Sequence, residues 1–158
     1  MKLIDVLKMD YIKIPLHSEQ KEDAIRELIT VLEGQDIFND SKATFHSVIE
    51  REKIMSTGVG REVAIPHCKI KDCQKFAIAL GITHKGIDFN SIDGKPVKII
   101  FLLVGPEDNP GMHIRLLSRI SRLIAKEELR EKLLLTSKPV DAYALLKEEE
   151  EKYFEIVS

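Results

Sequence analysis

Two rhythms of apolar and polar residues run through this chain. From Tyr11 to Leu16 the apolar side chains Ile12, Ile14 and Leu16 recur every second residue, which predicts a strand. After Ser18, a candidate N-cap, the rhythm changes. Ala24, Ile25, Leu28, Ile29 and Leu32 follow the helical period, and Gly34 is placed to end the helix. Asp40 or Ser41 is placed to cap a second helix, with Phe45, Val48 and Ile49 on one face and an end near Met55.

Phe76 to Ile82 and Val97 to Val104 are short apolar runs rich in β-branched and aromatic residues, the pattern of strands covered on both faces. Asp93-Gly94 between them is a turn signal, so residues near Ile87 to Ile92 are expected to pair back on the strand from Val97. Beyond Pro110-Gly111, His113, Leu116, Leu117, Ile120, Leu123 and Ile124 form one helical stripe headed by His113. Glu127 to Leu135 reads as a short helix, and Pro139 opens another through Leu145 and Leu146 into a Glu- and Lys-rich end. Helices on a mixed central β-sheet make a layered α/β fold. No repeat, linker or low-complexity tract divides residues 1–158, so one domain is expected.

Composition narrows the function classes. The 158 residues are 44% hydrophobic and 32% charged, ordinary for a globular protein and unlike disordered or fibrous chains. With a net charge of −2 and the two signs interspersed, no broad basic surface is available to release counterions from a nucleic acid. Met1 to Asp10 lacks a basic segment followed by a long apolar run, and no later stretch is long enough to cross a bilayer, so a cytoplasmic protein without membrane insertion is expected. Cys68 and Cys73 are too few for a disulfide framework and read as reduced thiols.

The most unusual stretch runs from Ser56 to His67, where Thr57-Gly58-Val59-Gly60 leads into Ala64-Ile65-Pro66-His67. A glycine-rich loop can form an anion-binding nest of backbone N–H groups. This one has neither the Lys-Ser/Thr of an ATP-binding loop nor the third glycine of a dinucleotide fingerprint. Pro66 restricts the backbone entering His67, whose neutral imidazole is a nucleophile near pH 7. His113, in the first turn of its helix, can add an N–H donor, Arg51 a planar bidentate cation and Thr57 a hydroxyl. Taken singly, each has a plainer reading. His113 suits a satisfied core histidine, Arg51 a solvated helix residue, and Thr57 with its glycines a simple turn.

Together, Arg51-Glu52, Ser56-Thr57-Gly58-Val59-Gly60, Ala64-Ile65-Pro66-His67 and His113 ahead of Leu116-Leu117-Ser118 resemble the fructose/mannitol-type IIA domains of the bacterial phosphoenolpyruvate-dependent phosphotransferase system, which include nitrogen-regulatory IIA proteins. The resemblance implies a mixed sheet between helices and a phosphotransferase that carries phosphohistidine at His67, with no cofactor and no metal. It implies His113 as the second active-site histidine, Arg51 as the cation near the phosphoryl group, and Thr57, Gly58 and Gly60 as the rest of the site. The implied donor is the phosphorylated histidine carrier protein. The acceptor is a IIB component in sugar uptake or, alternatively, a target whose binding the phosphorylation state regulates. Which sugar is served is not written in the chain. Cys68 departs from the family pattern. A rival zinc site from His67, Cys68, Cys73 and His84 has Cys-x4-Cys spacing but no second ligand pair. A hydrolase lacks a Gly-x-Ser-x-Gly elbow.

Overall fold

A computed structural model describes residues 1–155, with the side chains of 154 and 155 outside the description. The chain runs α1 (Leu3–Val6), a 3-10 turn (Met9–Tyr11), β1 (Ile12–Lys13), α2 (Lys21–Leu32), α3 (Ser41–Ile54), β2 (Gly58–Gly60), β3 (Val63–Ala64), β4 (His67–Ile70), β5 (Ala77–Ile87), β6 (Val97–Pro106), α4 (Pro110–Ile124), α5 (Glu127–Leu135) and α6 (Pro139–Glu155). The sheet order is β1-β5-β6-β3-β2, with β4 also on β6. β5 and β6 are antiparallel, whereas β1 on β5, and β3 and β4 on β6, are parallel. The sheet is therefore mixed, as the sequence pattern predicts.

The period of two along the central strands sorts side chains into two cores. Ile78, Leu80, Phe101 and Leu103 pack with Leu116, Ile120, Leu129, Leu133 and Leu146 of α4 to α6. Ala77, Ala79, Ile100 and Leu102 face Ile25, Leu28, Val48 and Ile49 of α2 and α3. Helices thus cover both faces, which explains why β5 and β6 read as continuous apolar runs.

The strand expected over Tyr11 to Leu16 is confined to Ile12–Lys13, because Pro15 has no N–H to extend a ladder. Ser18 does not cap α2, which begins at Lys21. Its hydroxyl instead donates to Glu27 Oε1 at 2.7 Å, and the amides of His17 and Ser18 donate to the same carboxylate. Asp40 does cap α3, its Oδ1 accepting from the Ala43 amide at 3.0 Å. The stretch expected to pair back from Ile87 to Ile92 pairs only at Ile87 with Val97. Beyond it, Phe89 turns into the core under α2 and α3, its carbonyl accepting from Ser56 Oγ and from Lys21 Nζ. The turn itself is present, closed by the Gly94 amide on the Ser91 carbonyl at 3.0 Å. Among the described residues no helix is long and apolar enough to cross a membrane.

Candidate functional site

β3 and β4 run along the same side of β6 and are separated by Ile65-Pro66, where the Leu103 amide donates to the Pro66 carbonyl at 3.0 Å. This break lifts His67 out of the core at the head of β4, half-buried. Its Nδ1 lies 2.9 Å from the Ile65 carbonyl oxygen. A carbonyl can only accept, so Nδ1 carries the proton and the lone pair resides on Nε2. Burial, and after it the positive charges of Arg51 and Lys69, hold the imidazole below its usual pKa, against the opposing pull of the Ile65 carbonyl and the Glu52 carboxylate. His67 is therefore a neutral imidazole with a defined lone-pair nitrogen.

His113 meets it from the first turn of α4, whose N-cap Asn109 accepts from the Met112 amide. The two imidazole centroids are 5.3 Å apart at 57°, and Phe76 stands 6.4 Å from His113 on its other side. His113 is only 3% exposed, and neither ring nitrogen has a protein partner. Burial, with smaller contributions from His67 and Lys69, pushes its pKa down to about 4. A buried imidazole with an unmet N–H can donate to an acceptor placed between it and His67.

Arg51 sits in the last turn of α3, where one guanidinium N–H donates to the Met55 carbonyl at 3.0 Å. A cation there suits the negative end of the helix dipole, and its charge reaches the His67 imidazole.

The glycine stretch folds as a hairpin. Gly58 pairs with Ala64 and Gly60 with Val63, and Arg61 and Glu62 between them adopt φ of 58° and 68°, the positive-φ form that two-residue hairpin turns favour. The amides that lead into it are already engaged. That of Thr57 donates to the Glu52 carboxylate at 3.1 Å, and that of Gly58 donates to Ser56 Oγ at 3.0 Å. Gly58 lets the hairpin approach Ser91, whose Oγ would lie 2.3 Å from an added Cβ, and Gly60 has φ +89° beside Asp93. The hydroxyl of Thr57, itself buried, donates to Glu52 Oε1.

Glu52 is the residue that sequence reasoning passed over as a site member, quoting it only within Arg51-Glu52. It is buried and ion-paired with Lys21 Nζ at 2.7 Å. The signal was available, because Glu52 falls one helical step beyond Val48 and Ile49 on the apolar face of α3. Lys21, at the start of α2, carries no such mark.

Cys68 follows His67 but points to the opposite face of the sheet, packed in the α2/α3 core with its thiol pushed up to about 12 by burial. Cys73 is also raised by burial, and its Sγ donates to the Lys75 carbonyl. His84 is exposed on β5. The structure does not bring the rival zinc ligands together, and among the described residues no three His, Cys, Asp or Glu side chains are grouped to hold a metal.

Residues 5–149 match the family described as "Phosphoenolpyruvate-dependent sugar phosphotransferase system, EIIA 2", and the chain belongs to that family. Its role is of the phosphotransferase type, the family's domains taking part in phosphoryl transfer. Among its relatives, the fructose-specific EIIABC component of Bacillus subtilis is 37% identical over 134 residues, which are 85% of this chain and 21% of that protein. The nitrogen regulatory protein of Bradyrhizobium diazoefficiens is 33% identical over 149 residues, 92% of this chain and 95% of that one. The crystal structure of nitrogen regulatory protein IIA-Ntr from Neisseria meningitidis superposes with a TM-score of 0.84 at 30% identity, covering 90% of this chain and 97% of the other. The fold is also that of enzyme IIAMTL in its complex with phosphorylated enzyme IIBMTL from Escherichia coli, at 19% identity and a TM-score of 0.77 over 90% of this chain and 99% of that one.

Proposed function

We propose that residues 1–158 act as one IIA unit in the cytoplasm, accepting a phosphoryl group on Nε2 of His67 and passing it to a second protein. The observation that carries this reading is the Nδ1–H to Ile65 carbonyl bond at 2.9 Å, which leaves Nε2 as the lone-pair nitrogen of a neutral ring. The donor is the phosphorylated histidine carrier protein. The P–N bond to the carrier's imidazole, protonated on its other nitrogen, breaks as the P–N bond to His67 Nε2 forms, so the donor ring leaves neutral, His67 keeps its Nδ1 proton and no nucleotide is consumed. His113 donates its unmet N–H to a phosphoryl oxygen, and Arg51 spreads its fork toward the same charge. Such a transfer is mostly positioning and charge stabilisation, and these groups supply both. Gly58 and Gly60 contribute through the backbone they shape, and Thr57 through its hold on Glu52.

The acceptor is a IIB component in sugar uptake, a reading favoured by the fructose-specific relative. A second reading, regulation of a partner's binding by the phosphorylation state, is favoured by the nitrogen regulatory relative that this chain matches over 95% of its length. The chemistry at His67 is the same in both. Either way two proteins must meet there, and Ile54, Met55 and Ile114, exposed at 81%, 68% and 66%, flank Arg51 and His113 as an apolar rim for docking. Chemical-shift mapping with the carrier protein should perturb this rim, and an untouched rim would remove it from the account.

The decisive test is intact mass after incubation with phosphoenolpyruvate, the general phosphotransferase enzyme and the histidine carrier. One acid-labile phosphoryl group on the wild type and none on His67→Ala is expected. Equal acceptance by the variant would defeat the assignment.

A further inference from the structure

We infer that Glu52 is a positioning residue for the nucleophile, holding His67 in register through Thr57 and Ile65 and held in turn by Lys21. This rests on the reading of His67 as the phosphoryl acceptor. The contacts form an unbroken series. Lys21 Nζ meets Glu52 Oε2 at 2.7 Å, and the carboxylate accepts from the Thr57 amide at 3.1 and 3.2 Å and from the Thr57 hydroxyl. The Thr57 carbonyl accepts from the Ile65 amide at 3.0 Å, and the Ile65 carbonyl takes the Nδ1 proton of His67 at 2.9 Å.

Two features separate this from an ordinary internal ion pair. First, both faces of one peptide chain are used. Ile65 is gripped through its N–H by the Glu52-anchored strand and grips His67 through its C=O, so the orientation of the nucleophile depends on where Thr57 stands. Second, the buried carboxylate, whose side chain is 3% exposed, sits among cations. Arg51 and Lys69 act on His67 from one sign, Glu52 from the other, and His113 faces it as a neutral ring. A phosphoryl group arriving on Nε2 adds negative charge, and Glu52 keeps the resting site from accumulating excess positive charge before it arrives. A carboxylate on the apolar stripe of a helix would otherwise be costly without its partners.

The test uses Glu52→Gln, Thr57→Val and Thr57→Ser in the full chain. Readouts are histidine 15N NMR for the tautomer and titration midpoint of His67, the rate of phosphoryl acceptance at saturating and limiting carrier, and thermal melting. Glu52→Gln and Thr57→Val should slow acceptance at saturating carrier by roughly tenfold to a hundredfold with the carrier KM unchanged, since the loss is one of alignment. Thr57→Ser, which keeps the hydroxyl, should restore it. The His67 midpoint should fall in Glu52→Gln, which loses the opposing charge, and stay in place in Thr57→Val, which retains it. A folded Glu52→Gln protein with a lower melting temperature but the wild-type His67 tautomer, midpoint and rate would overturn the inference and leave Glu52 a fold residue. Should Glu52→Gln not fold, a wild-type rate in Thr57→Val overturns it. Failure of the wild type to accept a phosphoryl group would instead count against the acceptor reading, and the NMR arm would still decide whether Glu52 positions His67.

Discussion

Two imidazoles whose centroids lie 5.3 Å apart, one of them almost fully buried, favour the uncharged state of the pair. The consequence for stability has a definite sign. Below the ordinary histidine value of 6.5, the unfolded chain protonates His113, whereas the folded chain keeps it neutral until about pH 4. The unfolded state then binds more protons, so the stability present above pH 6.5 is lost as pH falls toward 4, by up to about 3 kcal/mol. His67, lowered in the same direction, adds to the trend. Urea unfolding of wild type and His113→Gln at pH 7 and pH 5 checks this, with a shallower acid loss expected in the variant and equal losses contradicting it. In phosphoryl transfer, His113→Ala should retain acceptance at a reduced rate, because the nucleophile remains and a stabilising donor is gone. A wild-type rate in stopped-flow transfer from the carrier would remove His113 from the reaction. At this scale the sequence named His67, His113, Arg51 and Thr57 through their motif context, and the structure gathers them at one edge of the sheet. Glu52 was marked only by its place on the apolar stripe of α3, and Lys21 by nothing, because the role of both lies in burial and mutual contact.

Long amphipathic elements were legible, and short ones were not. α4 to α6 follow from their apolar periods and from Pro110 and Pro139 at the starts of α4 and α6, and α5 and α6 begin at the residues expected. β2 and β3 span three and two residues, and pairing of β3 to β6 and of β2 to β3, rather than local pattern, makes them strands. The stretch reads as a glycine loop in sequence because the residues that select it, Ser91, Asp93 and Glu52, are distant along the chain or on another element. The same contacts make a prediction at this scale. Gly58→Ala places a Cβ 2.3 Å from Ser91 Oγ and 3.1 Å from its Cα, so the hairpin must shift against the 88–96 connection. The expected cost is about 2 kcal/mol in chemical denaturation. An unchanged midpoint would show that the hairpin has room to move.

Across the whole molecule, the core layer under α4 and α6 is closed at one end by a second buried carboxylate. Glu150 of α6, 2% exposed, accepts from the Leu3 amide at 2.6 Å and the Ile4 amide at 3.3 Å, and pairs with Arg119 of α4 at 3.3 Å. It ties α1 to α6 and gives the Glu-rich end of the chain a structural member that composition alone presents as a solvated face. Glu150→Ala should cost about 3 kcal/mol by leaving the Leu3 and Ile4 amides short of an acceptor in a buried site, while folded protein still accepts phosphoryl groups at His67. Loss of transfer without loss of stability would contradict that separation. The layered mixed sheet was readable because β5 and β6 are apolar on both faces. The placement of α1 was not, since four residues anchored by a distant side chain carry no period.

The contacts of the site converge on one nitrogen atom, and the measurement that tests the account most directly is the site of the phosphoryl group within the phosphorylated protein. With 15N-labelled histidine, phosphorus-to-nitrogen coupling should appear at Nε2 of His67, with its Nδ1 proton still bound to the Ile65 carbonyl. A phosphoryl group on Nδ1 of His67, or on His113, would contradict the geometry from which the function has been drawn.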